Sequence, residues 1–214
     1  HQPRRQRQMC IRDSKSSGRQ GFALARTAIA RGATVTAVVG HVDGDLRSGV
    51  PAGCAVRRVG TAEELRSVMH ELVDRENPDV VVMAAAVADF RPVTSQPGKI
   101  TKESLADRAA PELVLERTTD VLAELAVKRG SSATPIIVGF AAETPAEGES
   151  LATRALAKLA RKGCDYLVAN DVSDGAVFGD EETTVAIVDA NGDCDLRESV
   201  SKDCLLYTSD AADE

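Results

Sequence analysis

Tryptophan is absent from this 214-residue chain, and four Phe and two Tyr are its only large aromatics. Ala and Val must therefore fill the core, which suits helices lying close on a sheet. Paired cysteine motifs are also missing. Cys10, Cys54, Cys164, Cys194 and Cys204 are odd in number and include no C-x-x-C. That spacing argues against a disulfide framework and a zinc site, and fits a reducing, cytoplasmic setting. His1, His41 and His70 are scattered without metal-ligand spacing. No apolar run approaches the roughly 20 residues of a membrane span, and no signal-peptide pattern is present. The formal net charge of −7 argues against nucleic acid as a partner. Neither G-x-G-x-x-G nor a P-loop occurs.

What the chain does have is strands alternating with helices. Phe22, Ala25, Ala28 and Ile29 share one helical face within 21–31, and Gly32 stops that helix. Residues 34–39 read as a short β-branched strand, and 55–59 as another. A helix over 62–76 starts at Thr61 as N-cap and breaks at Asn77-Pro78. The continuous apolar run from Val80 to Ala85 predicts a strand buried on both faces. Residues 91–110 read as one long loop, and loops of that length are usually functional. Helices over 120–128 and 147–162 and strands at 136–138, 166–169 and 183–189 follow. Asn191-Gly192 then marks a hairpin turn, with a strand resuming near 194–197. The expected fold is α/β and Rossmann-like: a mostly parallel sheet, helices on both faces and an antiparallel edge near the C-terminus.

Ligands of such sheets sit outside the carboxyl ends of the strands. There the sequence places Gly40, then Ala86 to Asp89, then Gly139 to Thr144, then Asn170-Asp171. Asp89 and Asn170 could each be a cap or turn former, but small residues followed by acidic or amide groups recur after several strands. Ser16-Ser17-Gly18 precedes the first helix and offers hydroxyls and bare N–H groups for an anion, or an ordinary N-cap. Lys99 and Lys102 lie in the long loop. Lys158 and Lys162 stand one turn apart on one helix. As plain sequence, both pairs could be solvated charges.

The motifs SSGRQGFALA, AAAVADFRP, KITKE, VGFAAET, ARKGCDYLVAND and FGDEETTVAIVD, in this order, resemble phosphopantothenoylcysteine synthetase. In many bacteria that domain is the C-terminal half of a bifunctional protein whose other half is a flavin-dependent decarboxylase, so FMN would belong only to a half not seen here. The resemblance implies that phosphopantothenate is activated by CTP with Mg²⁺ as an acyl-cytidylate, and that the amine of cysteine then displaces the nucleotide. It implies a nucleotide site at Met83, Ala84, Ala85, Asp89, Lys99, Thr119, Asp120, Val121, Leu122, Phe140, Lys158 and Lys162. By the same resemblance Lys99 would contact phosphates as the catalytic lysine, Phe140 would pack on the nucleotide, and Asp89 is the best protein candidate for the metal. Ser16, Ser17 and Gly18 would hold the substrate phosphate. A homodimer, with the long loop reaching the neighbouring site, is implied as well.

Three departures stand out. Thr119 replaces the proline of an Asn-Pro-Asp segment. Ser14 stands where the family has an asparagine used in the second half-reaction. The preceding strand and glycine-rich turn are not seen. Residues 1–14 and 204–214 resemble translated sequencing-adapter read-through or disordered tails, which leaves 15–203 as the domain, expected to be poorly active as written. The competing enzyme class is a nicotinamide- or flavin-dependent oxidoreductase. It lacks support from the glycine fingerprint and from Gly40, which stands where an acidic residue would end the second strand. A non-catalytic nucleotide-binding module is the third reading, and it leaves the Lys99 loop unexplained.

Overall fold

The computed structural model describes residues 18–41, 49–94, 113–173 and 182–201. Helix α1 (Arg19–Ala30) buries Phe22, Ala23 and Ala25 and half-buries Ala28 and Ile29. Gly32, at φ 88°, turns the chain out of it in a conformation that favours glycine. Strands β1 (Thr36–Val39) and β2 (Ala55–Arg58) then pair in parallel.

Helix α2 (Ala62–Glu76) begins where its capping chemistry dictates. The Thr61 side chain accepts from the Glu64 N–H at 3.1 Å, and the Glu64 carboxylate accepts from the Gly60 N–H at 2.6 Å. Such a cap contributes about 1 kcal/mol. Asn77 closes the helix in the left-handed region at φ 46°.

The main sheet has five strands in the order β3 (Val80–Met83), β6 (Ile136–Glu143), β7 (Tyr166–Asp171), β8 (Glu182–Asp189), β9 (Cys194–Ser201). Parallel pairing joins β3, β6 and β7, and antiparallel pairing joins β7, β8 and β9. The mixed α/β architecture and its antiparallel C-terminal edge are therefore as expected. Between the parallel strands, helices α3 (Val121–Arg129) and α4 (Leu151–Lys162) make the crossovers. Helices α2, α3 and α4 share one apolar cluster with Val81, Met83, Ile137, Leu167 and Val188.

Three expectations need correction. The strand at Val80 is not buried on both faces: Val81 and Met83 are buried, but Val80 and Val82 are 49% and 43% exposed. The helices of the shared cluster cover only the Val81 side, and β3 ends the ladder order of its sheet. Residues 139–143 do not follow a strand but continue β6. They pair with β7 from Gly139↔Leu167 to Glu143↔Asp171, so the ladder with β7, which runs on past the end of β3 at Met83↔Gly139, overrides the weak strand preference of Gly and Ala. Finally, the stretch read as loop from 91 opens inside a strand. β4 (Phe90–Pro92) pairs antiparallel with β5 (Leu115–Arg117) as a two-stranded ribbon.

Candidate functional site

Helix α4 follows β6, so it starts at the carboxyl edge of the parallel strands and runs back toward their amino ends. Its buried stripe is Leu151, Ala155 and Leu159. Beside it, at four-residue spacing, runs a stripe of cations: Arg154, Lys158 and Lys162. Helical side chains lean toward the helix N-terminus. Here that direction is the carboxyl edge, so lysines rooted in the last turns still deliver their ammonium groups to it.

All three cations meet carboxylates. Lys158 donates to Glu143 at the end of β6, and Arg154 donates to the other Glu143 oxygen at 2.6 Å and to Glu149 at 3.0 Å. Lys162 donates to Asp120. The lysine side chains are only 24% and 21% exposed. A solvated helix face is thus the wrong description of them. Burial pushes the Glu143 carboxyl up, but hydrogen bonds from Lys158 and Arg154 outweigh it and hold the group below the ordinary carboxylate range.

Asp120 has a second task. Its Oδ1 accepts from the Ala123 N–H at 3.2 Å, capping α3. Val121 and Leu122 bury their side chains in the core, 3% and 8% exposed. They can therefore offer a ligand only backbone N–H groups of the first helical turn, where the helix dipole favours anions. Asp120→Ala is expected to lower stability by about 1 kcal/mol through the lost cap. Urea denaturation reads that loss, and an unchanged midpoint would contradict the cap.

The remaining predicted residues divide. Met83 is buried at the end of β3, with Ala84 and Ala85 directly after it. Asp89 is exposed just before β4, and its carbonyl accepts from the Thr118 N–H at 2.8 Å, which ties the ribbon at its base. Thr119 is exposed beside Asp120. Phe140 is half-buried, but strand alternation points it to the face opposite Gly139 and Glu143. The lysine stripe and Phe140 thus lie on two sides of β6. Gly18 precedes α1 in the left-handed region at φ 69°. Ser14, Ser16, Ser17 and Lys99 fall outside the described residues.

Two buried side-chain oxygens lack a hydrogen-bond partner among the described residues, Thr118 Oγ1 and Asn170 Oδ1. Both belong to segments that reach the carboxyl edge, and buried polar atoms are normally satisfied. Asp171 is turned into a local loop instead, accepting from the Ser173 N–H at 2.9 Å. Among the described residues no three His, Cys, Asp or Glu side chains converge as a metal site, so Asp89 stands without protein partners for a cation. A groove of about 450 Å³ between α2 and α3 is lined by Arg66, His70, Asp120, Glu124 and Lys128, and so adjoins the site at Asp120. Its Arg66 and His70 pair with Glu124, Arg66 also with Glu63, Lys128 with Asp74 and Asp120 with Lys162.

Sequence reasoning passed over Arg154, although its four-residue offset from Lys158 was visible. It placed Glu143 at the edge without giving it a partner.

Fold and site define a class: an open α/β domain whose crossover helix feeds cations to the carboxyl edge of its parallel strands. The chain belongs to the family of the DNA/pantothenate metabolism flavoprotein C-terminal domain, whose model matches residues 11–206. It is 44% identical over 170 residues to the coenzyme A biosynthesis bifunctional protein CoaBC of Mycobacterium tuberculosis, covering 77% of this chain and 38% of that protein. The CoaBC protein of Bacillus subtilis is 37% identical over 180 residues, covering 84% and 40%. A crystal structure of the C-terminal domain of a CoaBC protein superposes with a TM-score of 0.64 at 27% identity, covering 90% of this chain and 80% of that one. The chain spans about two fifths of the length of these two curated relatives. No helix among the described residues is long and apolar enough to cross a membrane.

Proposed function

We propose that the chain is the ligase portion of a coenzyme A biosynthesis protein, joining 4′-phosphopantothenate to cysteine at the expense of CTP. The observation that carries this reading is that Lys158 is held by Glu143 at the end of β6 and Lys162 by Asp120, the N-cap of α3. Family membership and the names of the relatives support it.

A carboxylate is a poor acyl donor until one of its oxygens is carried off as a phosphate ester. In the first step the phosphopantothenate carboxylate attacks the α-phosphorus, and the bond to pyrophosphate breaks. In the second the cysteine amine attacks the acyl carbon, loses a proton, and the nucleoside monophosphate leaves with the bonding pair. Both steps bring anions together. Cations already held in place lower that barrier without reorganising. Lys158, Lys162 and the backbone N–H groups of Val121 and Leu122 are the donors available, with Lys99 proposed to join them. Mg²⁺ is proposed as a companion of the triphosphate, whose oxygens would supply most of its ligands. The described side chains form no metal cage.

A homodimer belongs to the same reading. The β4–β5 ribbon leaves Phe90, Val93, Val114 and Leu115 at 50–67% exposure, apolar surface that a second copy would cover.

Calorimetric titration with CTP, ATP and NADPH, each with Mg²⁺, tests the proposal. The expected result is CTP binding that weakens about tenfold on Lys162→Ala, with no NADPH binding. Binding of NADPH alone would transfer the chain to the oxidoreductases.

A further inference from the structure

Glu143 is the one charged or polar residue in the buried class among the described residues, 7% exposed. It occupies the last position of β6, on the face of Ile137 and Gly139 that α4 covers. An apolar residue could fill the same place. Replacing buried ion pairs by well-packed apolar side chains is often neutral or stabilising. Fold stability alone therefore does not account for a carboxylate here.

The surroundings suggest what does. Arg154 holds one carboxylate oxygen at 2.6 Å and is itself held by Glu149 at 3.0 Å, while Glu149 accepts from the Ala146 N–H at 3.3 Å. Glu143 is thereby locked in place from one side. Its other oxygen takes Lys158. An ammonium carries three donors, so one is spent on Glu143 and two remain for the edge. With Arg154 and Lys158 set against Glu143 and Glu149, the cluster is balanced in charge, so Glu143 does not face Lys158 as the one counter-charge to both cations.

We infer that Glu143 is a positioning residue, which fixes the Lys158 ammonium at the carboxyl edge where the nucleotide triphosphate is bound. This rests on the ligase reading above. Lys158 touches the phosphates, and Glu143 acts only through Lys158. A long flexible stem is then ordered before the ligand arrives.

The test is a double-substitution cycle on the full chain, read as CTP affinity by calorimetry with Mg²⁺ present. Glu143→Gln is expected to weaken CTP about tenfold, and Lys158→Ala by at least as much. The double variant should bind no more weakly than Lys158→Ala alone. A Glu143→Gln protein that binds like wild type overturns the inference. So does a double variant whose loss is the product of the two single losses, since a tie between β6 and α4 that ignores Lys158 would behave that way. Circular dichroism melts check folding. Should the Gln variant unfold, Glu143→Asp keeps the charge but draws it back, and full affinity in that variant overturns the inference equally. A nucleotide-free reading separates the two proposals. In wild type the Lys158 ε-methylene protons should give distinct NMR shifts that merge in Glu143→Gln. Distinct shifts with no CTP or ATP binding would remove the ligase reading while leaving the Glu143–Lys158 clasp. Merged shifts in wild type would remove the clasp itself.

Discussion

Replacing Arg129 by Ala is expected to destabilise the folded chain by about 2 kcal/mol, between the cost of breaking a surface pair and that of breaking a fully buried one. Arg129 ends α3 with its side chain 13% exposed and grips Asp165, 28% exposed, at the start of β7. Asp165 also accepts from the Ile137 N–H at 2.7 Å. One guanidinium therefore joins the end of a crossover helix to the amino ends of two parallel strands. Burial pushes the Asp165 carboxyl up, yet Arg129 and the Ile137 N–H hold it below its ordinary value. Its stabilising share is present above the unfolded-state pKa of about 3.9 and is lost as pH falls through the lower folded value. In Arg129→Ala burial faces less opposition and the carboxyl rises. The gap in stability between wild type and variant should accordingly be widest near neutrality and narrow below about pH 4. Urea melts across pH 3–7 measure both. A gap that does not change with pH would mean that packing of the arginine stem, rather than its charge, is what Asp165 misses.

The elements legible in the sequence were those with local causes. Helix α2 starts and stops where Thr61, Glu64 and Asn77 say it must, because caps act within four residues. Gly163 closes α4 in the left-handed region for the same kind of reason. The β4–β5 ribbon was not legible, since Arg91 finds its cross-strand neighbour Glu116 only 25 residues later and neither strand has room to show a period. Residues 139–143 were misjudged because Gly and Ala say little about strand formation, whereas the neighbouring strand β7, distant in sequence, pairs with all of them.

The site divides along the same line. The spacing of Lys158 and Lys162 was visible, but not what they touch. Glu143 lies 15 residues from Lys158, and Asp120 lies 42 from Lys162. Local sequence could offer those lysines only water as a partner. Order of motifs supplied the family; the charge partners that make the lysines more than surface came from the fold.

Gly139 binds these two halves together, and Gly139→Ala is expected to cost about 2 kcal/mol. A Cβ at this position would lie 2.7 Å from the Leu122 Cδ2 and 2.9 Å from the Leu167 Cδ1. Neither neighbour is free to yield: Leu167 is 1% exposed in the central strand, and Leu122 is 8% exposed in the first turn of α3. Glycine here is required by the closeness of the helix, not by its backbone angles. Of the two, Leu122 sits at the end of an element rather than in the middle of a ladder, so α3 should move first. That shift would carry Asp120 with it, and Lys162 through Asp120. If the chain binds CTP as proposed, the variant should therefore lose CTP affinity several-fold while still folded, together with a lower denaturation midpoint. Gly139→Ala with Leu122→Ala should recover part of the affinity, because it removes the clashing methyl group and lets α3 settle back. Stability need not follow, since the truncated leucine loses core contacts of its own. Urea melts and CTP titrations on the two variants separate these effects. If affinity stayed at the wild-type value in Gly139→Ala, the first turn of α3 would not be part of the nucleotide site.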